Sequence, residues 1–452
     1  MIVLIFRRDF RITDNDALNY ALKYSKEKIY PVFLMSSKQL DPVNNKLHNN
    51  NCIQVMFRMI ETMEIKIHTY YGDEDVDILS ALHKEKRISA VIWNKDVTPF
   101  AHRRDKVIID WCQLNGIHTH ETMTYTLFTD HENIKPKTSK FYQVFTPFKN
   151  RCLLLPISKP HSVAFNKSKI LKRRIKLPKY TTDPRTFYTY NPNLQSTNKD
   201  FKVSEYKELR NIPSIDGTSR LSIDLKFGKQ SVREVWYRYN DETFRSELLW
   251  REFYYYLLHF NPKLLKGQIH GKNSPMKLKY DQFPWLKITK STKTLVAWKM
   301  GETGVPIVDA GMREMNTTGW MHNRVRMIVA MYLTKILQID WRLGEKYFAT
   351  QLIDYDPVQN NGGWQWSSST GADSQPYFRI FNPYLQAKRF DPMCLYIRKW
   401  VTELKDVSPK DILRWDVELI RNKYEKLAIK YYPIVDYKIM RKNTLEKFKL
   451  IK

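Results

Sequence analysis

Short apolar runs alternate with helix-like segments along the first 125 residues. The runs are rich in β-branched and aromatic side chains and span Ile2 to Phe6, Ile29 to Met35, Ile65 to Tyr71, Ala90 to Trp93 and His118 to Glu121. Between them, apolar positions recur at helical spacing, most clearly over Asp75 to His83 and Ala101 to Leu114. Strands that alternate with helices predict a parallel sheet flanked by helices.

The pattern changes twice further along the chain. Residues 153–200 are dominated by Pro, Ser, Thr, Asn, Lys and Arg, which indicates a connection between domains. After residue 200 amphipathic segments recur between short loops, and 12 of the 14 glycines lie there. The sequence therefore predicts a Rossmann-like α/β domain over 1–130, an interdomain linker over 131–200 and an all-α domain over 201–452.

Two glycines alone, Gly72 and Gly116, occur in the first 125 residues. The glycine-rich phosphate turn of a dinucleotide-binding Rossmann domain is therefore missing. We expect the sheet domain to resemble that fold without holding a dinucleotide in the usual way.

The charge is strongly positive. The chain has 75 Lys and Arg against 47 Asp and Glu, a formal net charge of +28. Such a charge attracts polyanions and makes nucleic acid the natural partner, although some basic proteins use charge only for solubility. The four cysteines are scattered, so neither a metal site nor a disulfide framework is predicted.

No segment resembles a membrane span or a secretory signal. The apolar run MIVAMYL at 327–333 is among the longest, far short of the roughly 20 residues that cross a bilayer. The run Ile2 to Phe6 is followed directly by Arg7, Arg8 and Asp9, unlike a signal sequence. We expect a monomer in the cytoplasm.

Several helical segments carry side chains that suit chemistry. In SELLWREFYYYLL, residues Glu247, Trp250, Arg251 and Tyr254 lie three or four positions apart and share one helix face. A carboxylate, two aromatic rings and a guanidinium on one face favour a binding site. The alternative is a structural pair of Glu247 and Arg251 beside a half-buried Trp250.

A second group of polar and aromatic residues follows further along the chain. TTGWMHNRVRM at 317–327 and QLIDYDPVQNNGGWQW at 351–366 crowd acids, amides and indoles around Gly362 and Gly363. Those glycines would let a flat ligand approach the backbone closely. The combination favours a site for an aromatic cofactor over a plain hydrophobic core.

These motifs resemble the photolyase and cryptochrome family, and within it the class I cyclobutane pyrimidine dimer photolyases. The resemblance is close from Tyr206 to Trp400 and weaker over FRRDFRITDNDAL at 6–18 and KFYQVFTPFKN at 140–150. It implies FAD bound in the helical domain and light-driven repair of cyclobutane dimers in ultraviolet-damaged DNA. The alternatives are a cryptochrome-type blue-light photoreceptor on the same fold and a light-independent DNA-binding protein.

The resemblance implies how FAD is held. Positions that match phosphate-binding residues are Tyr206, Thr218, Ser219, Arg220, Leu221 and Ser222. Asp354 and Asp356 match acids beside the ring system and the adenosine, with Arg326 as the partner of Asp354. Asn360 matches the residue that faces the flavin N5, where a neutral amide favours the reduced flavin used in repair and plant cryptochromes carry an acid.

The resemblance also implies a surface that binds a dimer flipped out of the duplex. Trp250 and Trp366 match the indoles that wall the dimer, and Glu247 and Asn323 match residues that hydrogen-bond it. Contacts with the dimer or its strand are implied for Met327, Arg210, Arg251, Arg324 and Gln386. Enzymes that repair (6-4) photoproducts carry further histidines in WMHNRVRM, where His322 alone occurs here.

Two last features concern light and electrons. Trp364, Trp341 and Trp285 match a relay that carries electrons from the surface to photoexcited oxidised flavin, with a structural indole as the alternative for Trp285. Phe100 and Ala101 stand where folate-binding members carry an Asn-Glu pair. This argues against a folate antenna and leaves a deazaflavin, another flavin or no second chromophore.

Overall fold

The amino-terminal apolar runs form one parallel sheet. A computed structural model describes residues 1–24, 26–40, 48–137, 139–181, 183–266, 283–288 and 292–451. The strands are β1 (Ile2–Phe6), β2 (Ile29–Ser36), β3 (His68–Gly72), β4 (Ala90–Asn94) and β5 (His118–Thr122). They lie in the order β3-β2-β1-β4-β5, and every pairing is parallel. The predicted run from Ile65 becomes a strand only at His68, because Ile65 and Ile67 are buried without joining the ladder.

The sheet core explains why these strands are apolar almost throughout. β1 lies at the centre, where Ile2 pairs with both Ile29 and Ala90. Side chains from four strands meet helical residues such as Leu79 and Ile108 in one buried cluster. A parallel strand covered on both faces excludes water from both, so continuous apolar runs are favoured over alternation.

The α-helices are short and numerous. In chain order they are α1 (Asp16–Tyr24), α2 (Ser37–Leu40), α3 (Asn50–Glu61), α4 (Asp75–Glu85), α5 (Pro99–Leu114), α6 (Phe145–Leu153), α7 (Tyr206–Leu209), α8 (Ser222–Phe227), α9 (Val232–Arg238), α10 (Glu242–Phe260), α11 (Lys293–Met300), α12 (Pro306–Thr318), α13 (Asn323–Met331), α14 (Trp341–Gln351), α15 (Pro357–Ser368), α16 (Pro383–Phe390), α17 (Leu395–Trp400), α18 (Pro409–Ile412), α19 (Glu418–Arg421), α20 (Glu425–Ala428) and α21 (Tyr437–Leu450). A π-helical turn, Tyr332–Ile336, follows α13 directly. No helix among the described residues combines the length and apolar character needed to cross a membrane.

The chain forms two compact units, each built from separate segments. Unit 1 contains Met1–Phe141, Pro147–Pro192 and Leu221–Pro262, and unit 2 contains Tyr142–Thr146, Asn193–Arg220 and Lys263–Lys452. A parallel-sheet region followed by helices confirms the predicted fold class. The division at 130 and 200 stays a prediction; most of the stretch from 131 to 200 belongs to unit 1.

Within unit 1, α10 is bonded to the chain that leaves the carboxyl ends of the strands. The buried carboxylate of Glu252 accepts the N–H groups of Leu127 and Phe128, at 2.9 and 3.2 Å, and lies 2.8 Å from His131 Nε2. Arg8, just beyond β1, donates to the Tyr255 hydroxyl at 2.8 Å. These contacts fix one face of α10 within unit 1.

Replacing Glu252 should test that anchor. Glu252→Ala removes the acceptor of two backbone N–H groups, each costing about 1–3 kcal/mol when left unsatisfied, so the free energy of unfolding in urea should fall by about 3 kcal/mol. Glu247→Ala, half-buried on the same helix, is the matched control and should cost about 1 kcal/mol or less. Equal losses would show that the Glu252 bonds do not hold α10 in place.

Candidate functional site

Asp356 begins the helix that carries most of the predicted cofactor residues. Its carboxylate accepts the N–H groups of Val358 and Gln359 at 2.9 and 3.2 Å. Pro357 occupies the first helical position, where no N–H is needed. An Asp cap followed by Pro is a local signal, and it sets the start of α15 regardless of what the helix packs against.

Arg326 and Asp354 form the ion pair that the resemblance implied. Arg326 Nη2 donates to both carboxylate oxygens of Asp354, at 2.9 and 3.1 Å. The Asp354 side chain is 2% exposed and that of Arg326 25% exposed. Arg326 Nε also donates to Met321 O at 2.8 Å, so the guanidinium is held from two sides. The pair therefore presents a fixed carboxylate directly before α15.

Asn360 lies one turn after Asp356 and bonds a residue that the sequence did not single out. Its Nδ2 donates to the backbone O of Glu345 at 3.1 Å and to Glu345 Oε1 at 3.0 Å. Burial raises the pKa of Glu345 above its usual range, and the hydrogen bond from Asn360 opposes that rise. The contact joins α14 to α15, so no local motif could have indicated it.

Trp364 and Trp366 occupy different environments on α15. Trp364 is 2% exposed and packs edge-on against Phe348 and Trp298, with ring centroids 5.0 and 6.0 Å away. Trp366 is half-buried. Residues two positions apart lie on nearly opposite sides of a helix, so the two indoles cannot serve the same surface.

Two glycines differ in what surrounds them. A Cβ at Gly344 of α14 would lie 2.2 Å from Trp364 Cη2, so α14 approaches the indole more closely than any other residue would allow. A Cβ at Gly363 of α15 would meet no atom within 4 Å. Gly363, three positions after Asn360, therefore has open space at its Cβ position. The approach of a flat ligand to Gly362 and Gly363 stays a prediction, and the sequence did not indicate the role of Gly344.

The other two tryptophans of the predicted relay also fall in unit 2. Trp341 is fully buried one helical turn before Gly344, and its Nε1 has no hydrogen-bond partner in the described part of the chain. This spacing places it on the same side of α14 as the Trp364 contact. Trp285 is half-buried, with its ring 4.6 Å from that of Phe283.

The turn before α8 holds Arg220 in an unusual conformation. Its backbone is left-handed, with φ 51°, and its Nη2 donates to Asp216 Oδ2 at 2.8 Å. Asn198 braces the same turn by donating its backbone N–H to Ser219 O and its Nδ2 to Thr218 O. The buried Arg220 Nε has no partner among the described residues, so a donor is left over for an outside acceptor.

The remaining residues predicted to hold phosphates divide between the units. Tyr206, at the start of α7, lies 5.5 Å from the guanidinium of Arg210. Both belong to unit 2, whereas Leu221 and Ser222 belong to unit 1 at the start of α8.

The start of α13 presents residues predicted to meet the substrate. Asn323 is exposed, and Arg324 donates through Nη2 to Asn211 Oδ1 at 2.6 Å and lies 4.6 Å above the Phe390 ring. The half-buried Met327 follows, its Sδ 3.8 Å from Arg324 Nη1. Gln386, on α16, is also half-buried. Arg324 is therefore already oriented by protein contacts.

His322 has a structural role next to these residues. Its Nδ1 accepts the N–H of Arg324 at 3.1 Å and caps α13. Burial, aided by the charges of Arg324 and Arg326, lowers its pKa to about 3. The imidazole is therefore neutral at physiological pH and is not an acid for substrate chemistry.

Unit 1 carries the predicted face of α10. Trp250 is half-buried, 5.8 Å from the Phe253 ring and 5.9 Å from that of Tyr254. Glu247 is half-buried one turn earlier. Arg251 donates to Tyr125 O at 2.8 Å and stacks 4.7 Å from Tyr255, which ties part of its guanidinium to the protein.

One acidic group could in principle hold a metal. Ligand atoms of Asp14, Asp16 and His161 lie within 4.8 Å of one another. Arg233 reaches both carboxylates, at 2.9 and 3.2 Å. The guanidinium already supplies the positive charge that these acids require, so the group fits an ion pair better than a metal site.

The arrangement in unit 2 fits an aromatic nucleotide cofactor. Open space at Gly363 lies beside the amide of Asn360, as a flat ring requires. Arg220, which follows Thr218 and Ser219 in the chain, has a buried Nε–H without a partner among the described residues, and such a donor suits a phosphate oxygen. A flat ring and a phosphate group are two chemically different parts of FAD.

Comparisons with known proteins agree with this geometry. A family model described as DNA photolyase matches residues 2–163, and one described as FAD binding domain of DNA photolyase matches residues 244–450. A deoxyribodipyrimidine photo-lyase of Alkalihalophilus pseudofirmus is 35% identical, across 98% of this chain and 97% of that protein.

Solved structures give the same result. An archaeal photolyase from Sulfolobus tokodaii, with two FAD molecules, is 32% identical with a TM-score of 0.81 over 99% of both chains. A Synechocystis cryptochrome is 25% identical with a TM-score of 0.84, over 100% of this chain and 99% of that one. The predicted FAD cofactor is confirmed by these findings together. The chain belongs to the DNA photolyase family.

Proposed function

We propose that this chain uses light to split cyclobutane pyrimidine dimers in DNA, with FAD as its cofactor. The observation that carries the proposal is the packing of α14 on α15, which presents Asn360 beside the space at Gly363 and buries Trp364 on Gly344. The name deoxyribodipyrimidine photo-lyase, borne by relatives matched over nearly their whole length, supports it. We expect a monomer acting in the cytoplasm.

The protein's part toward FAD is to hold and orient it. When bound in its reduced state, FAD would supply, after light absorption, one electron that opens the cyclobutane ring and then returns to the flavin. Asp354, fixed by Arg326, and Asp356 would accept hydrogen bonds from the ring system and the adenosine. Asn360 would place a neutral amide at the flavin N5. The phosphates would be held by Tyr206, Thr218, Ser219, Arg220, Leu221 and Ser222.

The substrate must leave the duplex before it can react. Flipping costs a few kcal/mol, and stacking on an indole returns about 1–3 kcal/mol per base. Trp250 and Trp366 would supply that stacking, and Met327 would pack against the dimer. Glu247 and Asn323 would hydrogen-bond the pyrimidines, and the carboxyl group of Glu247 would stabilise the negative charge that appears on them. Contacts with the strand would come from Arg210, Arg251, Arg324 and Gln386.

The buried tryptophans would serve activation rather than repair. Trp364, Trp341 and Trp285 would carry an electron inward, from the half-buried Trp285 to the buried Trp364. Indoles can be oxidised one electron at a time, which the neighbouring phenyl rings cannot match. This role makes the relay dispensable once the enzyme has been reduced chemically.

A blue-light photoreceptor on the same fold is the alternative function, and the similarity to a cryptochrome supports it. A photoreceptor would bind FAD and leave dimers intact in light. Asn360 and Met327 favour repair instead. Conversion of a dimer-containing oligonucleotide by the reduced protein, in light and in darkness, separates the two.

Gly363→Ala should separate cofactor binding from protein packing. An Ala in a helix interior is favoured over Gly by about 0.5–1 kcal/mol, so the FAD-free variant should unfold no more easily than the wild type. FAD released per chain on denaturation should fall, because the methyl group enters the space beside Asn360. Gly344→Ala is the contrasting variant and should destabilise even the FAD-free chain. Full FAD content in Gly363→Ala would contradict this placement.

Trp364→Phe should abolish photoreduction of oxidised FAD and leave repair by chemically reduced enzyme nearly intact. Trp366→Phe, two positions along the same helix, should keep photoreduction and weaken repair. Absorption changes under illumination and dimer repair are measured for both. Loss of repair in pre-reduced Trp364→Phe would mean that this indole is not a relay.

Recognition and catalysis should separate on α10. Trp250→Ala should weaken binding of dimer-containing DNA by about 1–3 kcal/mol and barely affect undamaged DNA, which depends on phosphate contacts. Glu247→Ala should lower the repair yield per absorbed photon more than affinity, because its bond is stronger to the charged dimer. Both are measured by binding at one salt concentration and by photorepair at saturating enzyme. Equal weakening of both duplexes by Trp250→Ala would remove Trp250 from the dimer pocket.

A further inference from the structure

The basic stretch that the sequence assigned to a linker is fixed against the sheet of unit 1. Residues 151–179 contain nine Lys and Arg and no Asp or Glu. Ile170 bridges to Ile29, and the N–H of Leu171 donates to Ile29 O at 2.8 Å. Further on, the N–H of Ile175 donates to the Tyr30 hydroxyl at 2.9 Å. These bonds hold the stretch across the amino ends of the strands.

Two of its basic side chains serve this docking. Arg174 donates to Thr69 O at 2.6 Å and lies 5.0 Å from the Tyr70 ring. Lys169 donates to Leu22 O at 2.8 Å. The basic side chains that remain exposed, including Lys172, Arg173 and Lys176, point away from the sheet. Buried contacts therefore hold these charges in fixed positions, which a flexible linker would not do.

The connections entering the other strands add charge of the same sign. Together they form the cationic edge, whose exposed members are Lys26, Lys28, Lys66, Lys84, Lys86, Arg87, Lys167, Lys172, Arg173 and Lys176. The acids of these connections and the helix ends before them are Glu27, Glu61, Glu64 and Glu85, and Glu27 is already paired with the Met1 amino group at 2.6 Å. Beyond the carboxyl end of β3 the chain instead reads Asp73, Glu74, Asp75.

We propose that the cationic edge binds the phosphate backbone of duplex DNA, independently of any lesion. α10 is bonded to the chain beyond the carboxyl ends of β1 and β5, so the cationic edge lies at the other end of the strands from Glu247 and Trp250. A five-residue strand spans about 17 Å, so the contacts are distinct from those proposed for the dimer. This surface goes beyond the proposed repair site and needs neither flavin nor light.

The chemistry of the edge favours a nucleic acid over a membrane. Membrane-surface segments combine basic residues with exposed apolar ones that enter the lipid. Within 167–179, where the stretch is bonded to β2 and β3, Ile170 and Leu177 are buried; the exposed Leu153 and Leu154 precede this segment, and the exposed Leu114 ends α5 before β5. Phosphate contacts without base contacts give sequence-independent affinity that falls steeply with salt.

The test uses the full-length holoenzyme and undamaged duplex DNA in darkness. The variant Lys172→Gln, Arg173→Gln, Lys176→Gln removes three exposed charges from the edge. The control Lys405→Gln, Lys410→Gln, Lys430→Gln removes three exposed charges from unit 2. Affinity is measured over a series of salt concentrations, and far-ultraviolet circular dichroism checks the fold.

Each lost phosphate contact reduces the magnitude of the slope of log affinity against log salt concentration by about 0.9. The slope of the edge variant should therefore be smaller than that of the wild type by about 2 to 3, and the slope of the control should change much less. The edge variant should repair dimers at the wild-type rate when the dimer substrate is saturating. Unchanged repair distinguishes a loss at the cationic edge from a failure of the proposed repair site. Equal slopes in the wild type and the edge variant would overturn the proposal. Equal losses of slope in the edge variant and the control would also overturn it. A third contrary result would be an edge variant that no longer binds phosphatidylserine vesicles but binds DNA like the wild type.

Discussion

The close contact between α14 and α15 is the constraint on which the site in unit 2 depends. Gly344 lets the Trp364 indole lie where any side chain would collide, and this brings Glu345 within hydrogen-bond distance of Asn360. The two contacts set the rotation of α15, and hence the side on which Gly363 leaves space. The close contact at Trp364 and the open space at Gly363 therefore lie one position apart on the same helix.

Fixed polar groups dominate the surroundings of that helix. Asp354 is locked by Arg326, Asp356 by the N–H groups it caps, and His322 stays neutral because burial and two arginines oppose its protonation. Groups that are already oriented need no reorganisation when a cofactor or substrate binds. This suits chemistry in which a cofactor moves the electron and the protein supplies position and electrostatics.

Unit 1 uses one sheet for two different purposes. Past the carboxyl ends of its strands, Glu252 and Tyr255 anchor α10 and so orient the half-buried Trp250. At the amino ends, backbone bonds hold a basic segment whose charges face solvent. The contacts on one side of each segment hold it within unit 1, which leaves Trp250 half-buried and Lys172 exposed.

The sequence by itself determined the features that depend on neighbouring residues. Apolar runs predicted the five strands, and long motifs placed the chain in its family with its cofactor. Each of these signals is local because strands, caps and motifs are read over a few consecutive positions. β3 shows the limit of such signals. Ile65 and Ile67 are buried like strand residues, yet the strand begins only at His68, because burial alone does not determine where backbone pairing starts.

Only the tertiary structure decided which distant residues meet. The bond from Asn360 to Glu345, the contact of Gly344 with Trp364 and the anchoring of α10 by Glu252 all join separate elements. The basic stretch at 167–179 had the composition of a linker, and its place along the sheet came from bonds to Ile29 and Tyr30 more than a hundred residues earlier. Composition reports how a segment interacts with water, whereas the position of its charges depends on the surface to which its backbone is bonded.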